Sequence, residues 1–236
     1  MEIDSLLKDA EKYKKDGIIT YKTKWCNRYI IIKEEKPNIS IFNINKYLLE
    51  NNFPTYKLIN EYFENTNKYL IYEFIEGNDG FHSKRNIDYF YEIGVLIGEM
   101  HFLLKIYSKK QLKEEKEIIH NDLHSGNIIE SGTKKYIIDF NEIEFNYFFH
   151  DLLNIGYEIH FEKESQIKED AFIDGYTSKM KINYPNKNAV VEEIIKSDKE
   201  EYERLIRRKS LDNNYFIQLK KAVVNKKPTF IPKWCI

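Results

Sequence analysis

The chain has 236 residues, 42% of them hydrophobic and 32% charged, and its 37 Lys and Arg against 38 Asp and Glu leave a formal net charge of −1. That length and apolar content can bury a sizeable core, as one domain or two small lobes, and the balanced charge gives no reason to expect nucleic acid as a partner. No run approaches the roughly 18 apolar residues of a membrane span, the charged segment Met1 to Lys15 is unlike a signal peptide, and Cys26 and Cys235 lack metal or redox spacing, so reduced thiols and a cytoplasmic location are expected.

In chain order, Gly17 to Trp25 and Tyr29 to Lys33 read as two strands joined by a short polar turn at Cys26-Asn27-Arg28, and the apolar run Tyr29-Ile30-Ile31-Ile32 ends on Lys33. Asn38 to Asn51 places Ile41, Ile44, Leu48 and Leu49 on one side of a helix that Pro54 stops. Tyr69 to Phe74 is an apolar strand running toward Gly77. From Asn86 to Tyr107, the residues Ile87, Phe90, Ile93, Leu96, Ile97, Met100, Leu103 and Leu104 recur at helical spacing, so one face must be buried. Met100 and the aromatics there are core, and His101 reads as a packed helix histidine rather than a ligand. The mixed-charge stretches Lys113 to Glu117 and Lys163 to Asp170 read as solvated helix faces or loops.

The chemistry concentrates in Ile118-Ile119-His120-Asn121-Asp122-Leu123-His124-Ser125-Gly126-Asn127-Ile128-Ile129, followed by Lys135-Tyr136-Ile137-Ile138-Asp139-Phe140. β-branched runs flank a polar loop carrying HxDxxxxN, Ser131-Gly132 makes a turn, and a second strand delivers Asp139 at its end. Transfer of a γ-phosphoryl group needs a carboxylate to orient and deprotonate the attacking hydroxyl, and oxygen ligands for the magnesium that neutralises charge on the phosphates. Asp122 suits the first task; Asn127 and Asp139 suit the second. Gly126 lets the loop tighten beside Asn127. His120, two positions before the base, is placed to hydrogen-bond backbone and hold the loop in one shape.

This hairpin resembles the catalytic hairpin of the protein-kinase-like phosphotransferases. It resembles the aminoglycoside phosphotransferase and choline/ethanolamine kinase branch more than the eukaryotic protein kinases, because Phe140-Asn141 stands in place of Phe-Gly and Asn121 in place of Arg. Asp151, Asn146-Tyr147 and Ala171-Phe172-Ile173-Asp174-Gly175-Tyr176 extend the resemblance, which is strong from about Glu73 to Tyr176. It implies an α+β, two-lobed protein-kinase-like fold forming a single kinase-like unit, with a small β-rich N-terminal lobe (1–73) and a mainly helical C-terminal lobe (74–236). It also implies transfer of the γ-phosphoryl group of ATP, with Mg2+, to a hydroxyl of a small molecule such as an amino alcohol, an aminoglycoside or a sugar.

By the same resemblance, Asp122 and His120 form the catalytic-loop pair, and Asn127 and Asp139 hold the metal. Lys33 contacts the α and β phosphates, and backbone groups near Glu73 and Ile75 bind the purine. The GxGxxG that covers the phosphates in kinases is missing, Gly17 being the only early glycine. The helix stretch that supplies the family's lysine-pairing glutamate reads Phe42-Asn43-Ile44-Asn45, so either a different acid, such as Glu50 or Glu61, approaches Lys33 or the pair is absent. Asp151 either shapes the catalytic loop through buried hydrogen bonds or starts a helix. On the acceptor side, Glu158, His160, Phe161, Glu162 and Asp174 are candidate contacts, with Tyr147, Phe148, Tyr157 and Trp234 as candidate aromatic walls. Two alternatives stay open: a lipopolysaccharide core sugar kinase or protein kinase, since Arg28-Tyr29 leading to Lys33 resembles the strand of the former, and a non-catalytic nucleotide-binding pseudokinase. The missing Gly-rich loop supports the pseudokinase; the complete set Asp122, Asn127 and Asp139 opposes it.

Overall fold

The apolar runs of the N-terminal segments become the central strands of an antiparallel sheet, with buried residues on both faces. The computed structural model describes residues 6–8, 10–15, 18–34, 40–64, 67–112, 117–182, 186–207 and 214–235. Strands β1 (Glu11–Lys15), β2 (Ile18–Trp25) and β3 (Arg28–Glu34) precede helix α1 (Ile41–Glu50), and β4 (Leu58–Glu64) and β5 (Asn67–Glu73) complete a five-stranded sheet in the order β1-β2-β3-β5-β4. Ile30 and Ile32 of β3 and Ile71 of β5 point to one face, where Tyr21, Trp25, Ile59, Tyr62 and Tyr69 pack on them. Because side chains alternate along a strand, Ile31 and Lys33 emerge on the other face, with Lys33 opposite Thr20 of β2 and Leu70 of β5.

The two expected strands are present, although Gly17 lies outside the described residues. Their turn is one residue shorter than expected: Cys26 and Asn27 alone turn the chain, both at positive φ (48° and 62°), and Arg28 already pairs with Trp25. A two-residue turn with both central residues at positive φ follows the right-handed twist of the strands it joins. The helix expected from Asn38 is described from Ile41, where Ser40 caps it by accepting from the Asn43 N–H at 3.3 Å; residues 38–39 lie outside the described set.

The remaining elements are β6 (Asn78–Asp79), α2 (Ile87–Tyr107) with a π-helical turn at Ser108–Leu112, β7 (Glu117–Ile119), β8 (Ile128–Ser131), β9 (Lys134–Ile137), β10 (Glu144–Asn146), α3 (Phe149–His160), α4 (Ser165–Thr177), α5 (Lys187–Arg207) and α6 (Asn214–Asn225). Strands β6, β8 and β9 form one small antiparallel sheet, and β7 and β10 pair separately. The chain divides into two compact units, the first made of Met1–Arg85 and Glu99–Phe145, the second of Asn86–Gly98 and Asn146–Ile236. No helix of the described residues is long and apolar enough to cross a membrane.

In the second unit, the motif Phe172-x-x-Gly175-Tyr176 is a packing device. Phe172 and Tyr176 are buried, and a Cβ at Gly175 would lie 2.1 Å from the Tyr91 carbonyl oxygen, while one at Gly94 would lie 2.2 Å from that of Phe172. Helices α2 and α4 therefore meet backbone to backbone, and no flexible side chain stands between them to give way. Gly175→Ala is expected to destabilise by about 2 kcal/mol, read as a lowered denaturation midpoint, because the helices must separate to admit the methyl. The charged run Lys163 to Asp170 departs from the expected solvated face at Lys168, which is buried, pairs with Glu162 at 3.0 Å and lies over the Phe90 ring. At the C-terminal end, Asp198 is buried and accepts from the N–H (2.8 Å) and hydroxyl (2.6 Å) of Thr229; burial pushes its carboxyl up, and these two hydrogen bonds pull it back.

Candidate active site

The seven residues singled out for chemistry, Lys33, Glu73, Ile75, His120, Asp122, Asn127 and Asp139, all belong to the first unit. Strand β7 brings in the loop, anchored by the fully buried Ile118 and Ile119. Asn121 then takes a left-handed backbone at φ 65°, a conformation that asparagine tolerates better than most residues. The loop closes on itself: the Asn127 Nδ2 donates to the Asp122 carbonyl oxygen at 2.8 Å and to its Oδ2 at 3.2 Å. Across the hairpin, the Ile138 N–H donates to the Asn127 carbonyl at 3.0 Å. His120 is fully buried and its Nε2 donates to the Ile138 carbonyl at 2.9 Å, so the geometry is that of a brace between the loop and the residue before Asp139.

Asp139 lies just beyond β9, itself left-handed at φ 69°. Its Oδ1 is 2.8 Å from the Nζ of Lys33, whose side chain is buried. Among the described residues, the acid that approaches the strand lysine is thus Asp139 rather than Glu50 or Glu61: Glu50 faces Lys46 one helical turn back, and Glu61 pairs with Lys68 at 2.9 Å. Helix α1 instead buries Asn45, whose Nδ2 donates to the Tyr56 carbonyl at 3.1 Å.

Two arrangements at this site carry no sequence signal of the kind that marked the loop. Tyr56, buried after Pro54-Thr55, accepts a hydrogen bond at its hydroxyl from the Phe140 N–H at 3.3 Å. Burial, with the nearby charge of Asp139, pushes its hydroxyl pKa far above the usual value. His124 is held by the Gly126 N–H, which donates to its Nδ1 at 3.0 Å, so a neutral ring carries its proton on Nε2, and that nitrogen lies 3.7 Å from the Asp122 Oδ2. Phe81 stacks on the ring at 5.9 Å between centroids, and a Cβ at Gly126 would lie 2.7 Å from the His124 Cε1, which is why glycine stands there. The position of His124, two residues after Asp122, was the available signal.

Among the described residues, no group of three or more His, Cys, Asp or Glu side chains could hold a metal. Asn127 and Asp139 offer a different donor set: with Nδ2 engaged by Asp122, the Asn127 Oδ1 remains as an oxygen donor, alongside the Asp139 carboxylate. One amide and one carboxylate oxygen suit magnesium, which takes few protein ligands and completes its shell with water and phosphate oxygens. At the end of β5, the Glu73 N–H donates to the Lys57 carbonyl (2.9 Å) and the Phe74 N–H to the Tyr29 carbonyl (3.1 Å), while the Ile75 N–H has no partner among the described residues. The Glu73 side chain lies 3.7 Å from the Arg28 guanidinium.

The candidate acceptor residues belong to the second unit, where packing claims several of them. Phe148 is buried, Tyr157 and Trp234 pack on the cluster of Phe149, Leu153, Val190, Ile194 and Cys235, and Glu162 is committed to Lys168. His160 stacks on Phe230, and burial lowers its pKa. Asp174 and Tyr147 are exposed. Asp151 lies in the first turn of α3, as a helix-start residue would, but is wholly buried.

No family model matches the chain, and no curated protein matches it in sequence. Solved structures do match it in fold. An amicoumacin kinase, hAmiN, in complex with AMP-PNP, Ca2+ and Ami superposes with a TM-score of 0.76 at 13% identity, covering 96% of this chain and 92% of that one. The spectinomycin phosphotransferase APH(9)-Ia, in complex with ADP and spectinomycin, gives 0.58 at 17% identity, covering 95% and 91%. A microcompartment-associated aminopropanol kinase gives 0.54 at 12% identity, covering 74% and 77%. The chain thus has the α+β, protein-kinase-like fold of the aminoglycoside phosphotransferases and related small-molecule kinases, strand-rich in its N-terminal region and helical in its C-terminal region.

Proposed function

We propose that the protein is an ATP- and magnesium-dependent kinase that phosphorylates a hydroxyl of a small molecule, an amino alcohol, an aminoglycoside or a sugar. The observation that carries this reading is the 2.8 Å pair of Lys33 and Asp139, in the same unit as the hydrogen-bonded pair of Asp122 and Asn127. A cation for phosphate, two oxygens for a metal and a carboxylate for a hydroxyl then occur together, and the neighbours in fold were solved with AMP-PNP and Ca2+ or with ADP.

In this reading, Lys33 exchanges Asp139 for the α and β phosphates when nucleotide enters. Asp139 and the Asn127 Oδ1 hold magnesium, which when bound shields the phosphate charge against the incoming hydroxyl. Asp122 orients the acceptor hydroxyl and takes its proton as the new oxygen–phosphorus bond forms and the bond to the β-phosphate oxygen breaks, leaving ADP with the electron pair. His120 holds the Asp122 loop against Ile138, and the Ile75 N–H and backbone near Glu73 bind the purine, where the N-terminal lobe ends. A cytoplasmic location belongs to the same proposal, because ATP is the donor.

Thermal unfolding with ATP, with and without magnesium, tests it. A ligand at about a hundredfold over its dissociation constant adds roughly 2.7 kcal/mol, so a clear magnesium-dependent rise in Tm is expected, absent in Asp139→Asn, followed by ADP release on addition of an acceptor from a panel of hydroxyl compounds. An unchanged melting curve with ATP, GTP and magnesium sinks the reading and favours a non-catalytic protein.

A further inference from the structure

We infer that Tyr56, tied to helix α1 through Asn45, is a positioning residue for the metal-holding carboxylate of Asp139, in a site where, among the described residues, no glutamate of α1 pairs with Lys33. The inference rests on the function proposed above. Asp139 has a left-handed backbone, disfavoured for any residue with a Cβ, and such a conformation persists only where its surroundings fix it. Both flanking peptides are fixed here. His120 donates to the Ile138 carbonyl on one side, and the Tyr56 hydroxyl accepts from the Phe140 N–H on the other.

Tyr56 is in turn well anchored. Its ring lies 4.0 Å from that of Tyr72 and 6.3 Å, edge on, from that of Phe140. The residues before it run beside the end of β9, where Thr55 bridges to Ile137 and the Ile137 N–H donates to the Pro54 carbonyl at 3.1 Å. Asn45, fully buried in the middle of α1, reaches this segment through its donation to the Tyr56 carbonyl. Its own side-chain oxygen has no partner among the described residues, so what the amide contributes at this buried position is that N–H. A continuous path thus runs from α1 through Asn45 and Tyr56 to Phe140 and Asp139, without an ion pair in it.

Tyr56→Phe removes one oxygen and keeps the ring, which separates positioning from packing. A fluorescent ATP analogue is titrated into the full chain at magnesium concentrations from zero, with chelator, to saturation. Tyr56→Phe is expected to raise the magnesium needed for half-maximal tightening of nucleotide binding by about tenfold, the usual scale for removing a support behind a metal ligand, with the metal-free affinity unchanged. Asn45→Ala is expected to move the same midpoint in the same direction by less. An unchanged midpoint in Tyr56→Phe, whatever its melting temperature, overturns the inference and leaves Tyr56 as core. Wild-type protein that binds no nucleotide at any magnesium concentration overturns the kinase reading, and the positioning role with it.

Discussion

Replacing Asp122 by asparagine is expected to lower kcat for acceptor phosphorylation by about a thousandfold, close to 4 kcal/mol in the barrier, the middle of the range for a general base. The substitution keeps the shape of the side chain and removes its ability to take a proton. The loop should survive it, because one of the two hydrogen bonds that Asn127 gives to this residue goes to the backbone carbonyl, at 2.8 Å, and is indifferent to the side chain. The other, at 3.2 Å to Oδ2, can be accepted by the amide oxygen of the new residue. Affinity for magnesium and ATP is therefore expected to stay within about twofold, since neither carboxylate oxygen of Asp122 belongs to the proposed metal set. Turnover measured as ADP release in the presence of acceptor, beside nucleotide binding on the same preparation, checks both halves. A variant that turns over at the wild-type rate removes Asp122 from the chemistry. A variant that loses nucleotide binding together with turnover shows instead that the carboxylate holds the loop in shape.

What the sequence made legible at this site was what short-range spacing controls. HxDxxxxN spans one loop, so the contacts between Asp122 and Asn127 follow from a separation the chain itself imposes, and the apolar runs on either side had to be buried for the loop to sit between them. The helix from Asn86 was readable for the same reason: its periodic positions are buried from Phe90 to Leu104, with only Ile87 at the first turn left exposed. The partner of Lys33 was not readable in this way. Asp139 lies 106 residues away in sequence, whereas the acids closer to Lys33 in the chain, Glu50 and Glu61, are taken by the lysines that their own helix and sheet place beside them. Tyr56 was hidden for a related reason, because a tyrosine after a proline in an aromatic-rich chain is ordinary until the fold lays it against Phe140. Lys168 shows the converse error, a charge counted as solvated from composition that the fold buried against Glu162 and Phe90. Spacing predicts contacts within a hairpin or along a helix; pairings between distant elements depend on strand order and register, which several sequences could satisfy equally well.

The pair of Lys33 and Asp139 should respond unequally to loss of either partner. The Lys33 side chain is only 9% exposed, and that of Asp139 is 31% exposed. Asp139→Asn leaves an ammonium in a place where little water can reach it, and is expected to cost about 3 kcal/mol of stability. Lys33→Met keeps the length and apolar packing of the lysine stem and leaves behind a carboxylate that water can partly solvate, so about 1 kcal/mol is expected from it. The double variant Lys33→Met, Asp139→Asn has no stranded charge, and should recover a large part of what Asp139→Asn loses, because breaking a buried pair costs more than deleting it. Urea denaturation of the three variants measures this directly. The same three proteins separate stability from function: Lys33→Met, nearly as stable as the wild type, should still lose most of its ATP-dependent rise in Tm, since the group proposed to meet the α and β phosphates is gone. If Lys33→Met proves the least stable of the three while keeping its response to magnesium and ATP, Lys33 is a structural residue of the sheet, and the phosphates must be met by another group.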